Sequence, residues 1–297
     1  MIGFYSVNIL IAANQPCHNP HIADLAQQKD VAGRYDYTAD SFDSEVGLSE
    51  VLMMVNSLRK QLARKCTGHV LEVSCGTGRN LGYYDLRPGG RIDSLTFVDL
   101  SPQMVEACKK KWSAFFGSDG EQGKLKPGLA IRFLTGSALT PMPLAPSGEK
   151  YTTIIQTMGL CSTASPTALL TNMATHLDTS DPDARILLLE HGRSYLPWLN
   201  NILDNAAEKH AELHGCWFNR NIGALVEEAA REAGLEVARE RRYHFGTTWL
   251  FELKPTAQTA REAKSSSSPS AVVANDEKTE KQGDGTAKSW FGWSSPK

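Results

Sequence analysis

Glu72, Ser74, Gly76 and Gly78 alternate along the stretch VLEVSCGTGRN, Val70 to Asn80, and Asp99 closes the next apolar run. Small residues at the end of a strand-like run allow a tight turn and the close approach of a ligand that a Cβ would hold off. An acidic side chain at the end of the following run can accept both hydroxyls of a ribose. The two features together specify a nucleoside-bearing cofactor. They do not specify a dinucleotide, because the third position of a G-x-G-x-x-G turn is Leu81 in one register and Arg79 in the other. No Gly-Lys-Ser/Thr follows the turn, which removes a phosphate-binding P-loop.

A second set of reactive residues stands at the ends of later apolar runs: Cys161, Glu190, His191 and Arg193. A histidine side chain ordinarily titrates near neutral pH, so His191 reads either as a candidate general base or as a hydrogen-bonded structural histidine after a strand. Glu190 can steer a cationic or hydroxyl substrate or pair with Arg193, and Cys161 offers a thiol or a small apolar side chain. These three, Cys161, Glu190 and His191, are the catalytic candidates. His210, His214 and Cys216 have a spacing compatible with a metal, but a solvated helix face explains them and no metal is expected.

The elements that must hold these residues are strands alternating with helices. Val70–Val73 and Ser94–Val98 read as the first two strands, with a helix beginning at Arg79-Asn80-Leu81 between them. Ser101 suits an N-cap and Pro102 the first helical position, which puts Met104 in the first turn beside Asp99, near an adenine. Leu129–Leu134, Tyr151–Met158 and Arg185–Glu190 read as buried strands, and Pro166–Leu177 and Asn221–Ala233 as helices. Glu236–Tyr243 and Thr247–Lys254, on either side of Phe245-Gly246, form a hairpin. Upstream, Leu52, Val55, Leu58 and Leu62 mark a helix that, with Asp40 to Asp43, is expected to form a lid. Tyr35, Tyr37 and Phe42 would cover the cofactor there. Tyr195 to Phe218, rich in aromatic residues, reads as a helical insertion over the cleft and points to an apolar substrate.

The 297 residues carry a net charge of −2, which argues against a nucleic-acid partner bound by bulk electrostatics. Six cysteines without a CxxC pair read as reduced thiols. Met1 to Ala13 carries neither the basic start of a secretory signal nor the arginines of a mitochondrial presequence, and no run is long enough to span a bilayer. After Pro255, a Ser-, Lys- and Glu-rich stretch reads as disordered, and its terminal Trp290-Phe291-Gly292-Trp293 offers a contact with a membrane surface.

The pattern acidic-x-small-x-Gly-x-Gly resembles the first motif of the class I S-adenosylmethionine-dependent methyltransferases. The likeness covers about Gly68 to Pro255. It implies a Rossmann-like α/β fold: a seven-stranded, mostly parallel sheet with a C-terminal antiparallel hairpin and helices on both faces. It also implies S-adenosyl-L-methionine as cofactor, with Asp99 on the ribose, Ser137-Ala138 near the adenine and Gln156-Thr157 near the methionine part. Asn80, Leu100 and Met104 complete the implied set with Glu72, Ser74, Gly76 and Gly78. Two positions depart from the family: Ser74 replaces a usual glycine, and Ser137 stands where an Asp is common. The words LEVSCGTGRN, IIQTMGLCS, LLLEHGRS, GCWFNR and YHFGTTW are similar to a fungal group of mitochondrial methyltransferases named for suppressing cytochrome oxidase assembly defects. That group is more distantly similar to animal methyltransferase-like proteins and to quinone-biosynthesis C-methyltransferases.

The division that follows is an N-terminal, poorly ordered arm (1–33), a methyltransferase domain (34–255, its first 33 residues a helical lid and 67–255 its core) and a disordered tail (256–297). The expected activity is in-line methyl transfer to a small or lipid-like acceptor in the mitochondrion, with the cytoplasm as the alternative location. The competing expectation is a catalytically retired fold that serves as a mitochondrial assembly factor or scaffold.

Overall fold

Leucine-rich and β-branched runs assemble into one sheet of seven strands. The computed structural model describes residues 13–117 and 125–267. The strands are β1 Gly68–Val73, β2 Ile92–Asp99, β3 Ala130–Thr135, β4 Thr153–Thr157, β5 Arg185–His191, β6 Leu235–Tyr243 and β7 Thr248–Pro255. Their order is β3-β2-β1-β4-β5-β7-β6. β1 to β5 are parallel, while β7 runs antiparallel to both β5 and β6. Chain order reverses between β1 and β4, so the crevice outside their carboxyl ends is where this architecture binds ligands.

β4 and the middle of β5 are buried on both faces. One face is covered by helices α4 (Pro166–Thr175) and α6 (Ile222–Glu232), whose Leu170, Met173, Val226 and Ala229 meet Ile154, Ile186 and Phe251. The opposite face is covered by α2 (Val55–Ala63) and α3 (Pro102–Phe116), through Leu58, Leu62 and Cys108 against Val70, Phe97 and Leu187. As expected, Ser101 caps α3, accepting from Met104 N at 3.3 Å, and Pro102 occupies its first turn.

Four local expectations are corrected. No α-helix follows the glycine turn; Leu81–Tyr83 forms a short 3₁₀ turn whose Leu81 plugs the core. The upstream lid is two helices, α1 (Tyr35–Leu52) and α2, broken at Met54, which sits in the left-handed region at φ 51°. Within the N-terminal arm, residues from 13 onward are docked on α5 (Pro197–His214): Ile22 and Val31 pack against Ala207, Ala211 and Trp217. At the other end, α7 (Ala257–Ser267) extends past the end of β7, capped by Thr256 Oγ1, which accepts from Thr259 N. The aromatic cluster Trp290 to Trp293 and the start of the arm, residues 1–12, lie outside the described residues. Among the described residues no helix is long and apolar enough to cross a membrane.

Candidate cofactor site

Where β1 ends, Ser74, Gly76 and Gly78 all take positive φ, at 54°, 54° and 78°. A Cβ at Gly78 would fall 2.6 Å from Leu81 Cδ1 and 2.8 Å from Cys108 Sγ, so this glycine is required for α3 to seat against the turn. Ser74 holds the same kind of backbone despite its side chain, and its Oγ accepts from Gln156 Nε2 at 3.1 Å. The turn and β2 are joined directly: Gly76 N donates to Asp99 Oδ2 at 2.8 Å, and Ser101 N to Oδ1 at 3.0 Å. Both carboxylate oxygens are therefore aimed by backbone. Burial raises the Asp99 pKa above its ordinary value, against the pull of these two N–H groups.

Asp99 stands in the wall of an open cleft of about 1060 Å³. Leu100, Met104, Ser137, Ala138, Leu139 and Leu169 line one end, an apolar slot of the kind that takes a purine ring. Ser74, Gly76, Thr157, Gly159 and Arg59 line the other, and Tyr35, Asp36, Phe42, Ser162 and Thr163 line the lid side. Tyr37, expected to join Tyr35 and Phe42, points to solvent at 85% exposure.

The lid is latched to the turn by charge. Asp43 on α1 accepts from Thr77 Oγ1 at 2.6 Å and from Arg79 Nη1 at 3.1 Å, and pairs with Lys111 on α3. One turn pair further along α1, Glu50 accepts from Arg59 Nη2 at 2.8 Å and from Arg79 Nε at 2.9 Å. Arg59 Nη1 continues to Thr157 Oγ1 at 2.6 Å and Asn80 Oδ1 at 3.3 Å. Burial works against ionisation of Asp43 and Glu50, but their cationic partners prevail and hold both pKa values below the usual range. Arg59 was not among the expected site residues; it is buried with Val55, Leu58 and Leu62 on one face of α2, and its spacing of four from Val55 and three from Leu62 was the available signal for it.

The cleft brings together Ser74, Gly76, Asp99, Leu100, Met104, Ser137, Ala138 and Thr157 of the expected cofactor set. Glu72, Gly78, Asn80 and Gln156 lie behind its wall. Glu72 is fully buried and accepts from Tyr84 Oη at 2.6 Å and Asn80 Nδ2 at 2.9 Å, bracing the turn from below. Burial pushes its pKa up to about 7.

None of the three catalytic candidates lines the cleft. The Glu190 carboxylate is turned back onto the backbone, accepting from Gly159 N at 3.1 Å and Leu160 N at 3.2 Å, and burial raises its pKa. Cys161 is buried beside Cys216. His191 is half-buried at the end of β5, where desolvation lowers its pKa to about 4. Nor do residues 195–219 reach the cleft; they carry the N-terminal arm instead, Trp217 Nε1 donating to Lys29 O at 2.9 Å.

Fold and site thus define a Rossmann-like class I methyltransferase. The chain belongs to the family described as "Methyltransferase domain", which matches residues 52–240. It is 36% identical over 237 residues to "Methyltransferase OMS1, mitochondrial" of Saccharomyces cerevisiae, a match covering 76% of this chain and 46% of the relative. The chain thus spans less than half the length of that curated relative. Among solved structures it is similar to a Haloferax volcanii methyltransferase in complex with the Trm112 activator, at TM-score 0.52 and 17% identity, over 77% of this chain and 99% of that one. It is also similar to the [4+2]-cyclase SpnF, at TM-score 0.53 and 12% identity, over 76% and 96%. At these identities the likeness is one of fold.

S-adenosylmethionine is the cofactor. The residues present fit it: a backbone-aimed carboxylate for a ribose, an apolar slot for a purine, and an open backbone turn at Gly76. Among the described residues, Arg59 Nε on the cleft wall is a buried polar atom without a hydrogen-bond partner.

Proposed function

We propose that this protein transfers the methyl group of S-adenosylmethionine to a small or lipid-like acceptor held beside Tyr35, Ser162 and Thr163. The observation that carries this reading is the Asp99 carboxylate, aimed by Gly76 N–H at the point where strand order reverses. In the proposed complex Asp99 accepts the ribose hydroxyls, Leu100, Met104, Ser137 and Ala138 enclose the adenine, and Ser74, Gly76 and Thr157 border the amino-acid part. When bound, the sulfonium supplies an electrophilic methyl group, and in-line alignment of the acceptor in a dry cleft is what the protein adds.

The lid performs the drying. α1 covers the cleft with Tyr35 and Phe42 and is held down through Asp43 and Glu50. Tyr35 is kept neutral by burial; its Oη donates to Gly215 O at 3.2 Å and lies 3.1 Å from Ser162 Oγ, so it positions the acceptor side of the cleft and does not take a proton. An apolar acceptor is supported by the rings of Tyr35 and Phe42 on the lid side of the cleft, since the aromatic insertion lies elsewhere. The mitochondrial name of the yeast relative supports a mitochondrial setting.

A second reading, a methyltransferase fold that acts as an assembly factor, is favoured by the retreat of Cys161, Glu190 and His191 from the cleft. The two are separated by incubating the protein with methyl-labelled S-adenosylmethionine and fractionated lipids and small molecules of fungal mitochondria. Methyl transfer predicts a labelled acceptor in one fraction. Saturable cofactor binding with no labelled acceptor in any fraction would favour the assembly factor.

A further inference from the structure

Cys161 follows β4 and Cys216 follows α5, and the fold buries the two thiols side by side, 1% and 6% exposed and joined by a hydrogen bond. Their backbones are paired as well, Trp217 N donating to Cys161 O at 3.0 Å. Tyr35 Oη spans the same two segments, donating to Gly215 O and lying 3.1 Å from Ser162 Oγ. Methyl transfer makes no use of this pair. Beside it stands Arg220, fully buried, whose Nε donates to Gln28 Oε1 and whose Nη1 donates to Leu160 O. Its Nη2 has no acceptor. Of the groups around it that can carry negative charge, Cys161 and Cys216 act most strongly, ahead of Glu190 and Asp30. A buried cation with an unused N–H favours a thiolate. The hydrogen bond from Cys216, helped by Ser162 and the Arg220 charge, holds the Cys161 thiol below its ordinary pKa despite burial, while the Cys216 thiol is pushed up. A second thiol pair, Cys75 and Cys108, has the opposite surroundings. Its own hydrogen bond, burial and the carboxylates of Asp99 and Glu72 all keep Cys75 protonated.

We propose that Cys161 and Cys216 are a redox-active pair that a hydroperoxide converts to an intramolecular disulfide, stapling the exit of β4 to the segment that seats the lid. The Cys161 thiolate attacks the hydroperoxide: an S–O bond forms, the O–O bond breaks, and the released alkoxide or hydroxide takes the proton that Cys161 gave up. Cys216 then attacks the sulfenic acid: an S–S bond forms, the S–O bond breaks, and hydroxide leaves as water with the Cys216 proton. The electron pair lost by the sulfurs reduces the peroxide. The route in is the cleft, because Cys161 Sγ lies 3.6 Å from the hydroxyl of Ser162, a lining residue. The linked segments carry Tyr35 of the lid and, through Trp217 Nε1 and Lys29 O, the N-terminal arm. Oxidation therefore locks both onto the acceptor side of the cleft.

The test treats the reduced wild-type protein with hydrogen peroxide, alkylates the remaining thiols under denaturing conditions and maps the peptides by mass spectrometry. A peptide linked through Cys161 and Cys216 is expected, lighter by two hydrogens and abolished by dithiothreitol. The pair should oxidise at least about 10-fold faster than Cys75 and Cys108, the effect of one pKa unit on the thiolate population. The oxidised protein should melt about 5 °C or more above the reduced one, as a link that closes a long loop requires. In Cys216→Ser, dimedone should capture a sulfenic acid at Cys161, whereas in Cys161→Ser the Cys216 thiol should stay reduced. Cooperative melting of both serine variants shows that they are folded. The proposal is overturned by the absence of the linked peptide at a peroxide dose that consumes the half-buried Cys17. Equally fast oxidation of Cys75 and Cys108, an unchanged melting temperature, or sulfenic acid captured at Cys216 instead would also overturn it.

Discussion

Glu72 makes the cofactor turn sensitive to pH, and replacing it with Gln should show by how much. Its carboxyl is fully buried and its pKa is pushed from 4.5 up to about 7, chiefly by burial, although Tyr84 and Asn80 both donate to it. A folded-state pKa above the unfolded value means that the folded protein holds the proton more tightly. Stability therefore falls as pH rises from the unfolded value through the folded one, and the whole cost is present above pH 7. The shift corresponds to about 3 kcal/mol in full, of which about 2 kcal/mol accrues between pH 5.5 and 8. Gln keeps the shape and one acceptor but cannot ionise. Urea unfolding of the cofactor-free protein at the two pH values gives the test. Glu72→Gln should gain about 2 kcal/mol relative to wild type on going from pH 5.5 to 8. A difference between variant and wild type that stays within about 0.5 kcal/mol over that range would refute the reasoning.

The latch on α1 predicts a kinetic effect: Asp43→Asn weakens the contacts to Arg79 and Lys111, and should raise the dissociation rate of S-adenosylhomocysteine about 10-fold in stopped-flow displacement. The docked arm predicts an equilibrium effect: Ile22, 2% exposed, packs beside Ala207 and Trp217, so Ile22→Ala should cost about 2–4 kcal/mol in urea unfolding, where a loose arm would lose nothing.

The strands and the cofactor turn were legible because their signals are local. Val70–Val73 needs no partner to read as a buried strand, and Gly76 and Gly78 mark a turn through their own backbone freedom. The spacing to Asp99 follows from one crossover, so the acid at the end of β2 was legible as well. Side-chain direction at strand ends was not. Glu190 has the right element and the right end, but its carboxylate serves Gly159 and Leu160 rather than the cleft. The lid was half legible: Asp43 and Phe42 could be placed near the mouth, while the joint at Met54 and the Glu50–Arg59–Arg79 cluster depend on contacts between distant segments. The tertiary role of Tyr195–Phe218 was hidden for the same reason, since the partner that buries its helix is the N-terminal arm.

Titration calorimetry of S-adenosylmethionine into wild type and Asp99→Ala tests most directly whether the cleft beside Asp99 holds the cofactor. Two ribose hydroxyls donated to one aimed carboxylate predict saturable binding by the wild type and at least about a 100-fold loss in the variant. Equal affinity in the two proteins, or no saturable binding by the wild type, would contradict the account.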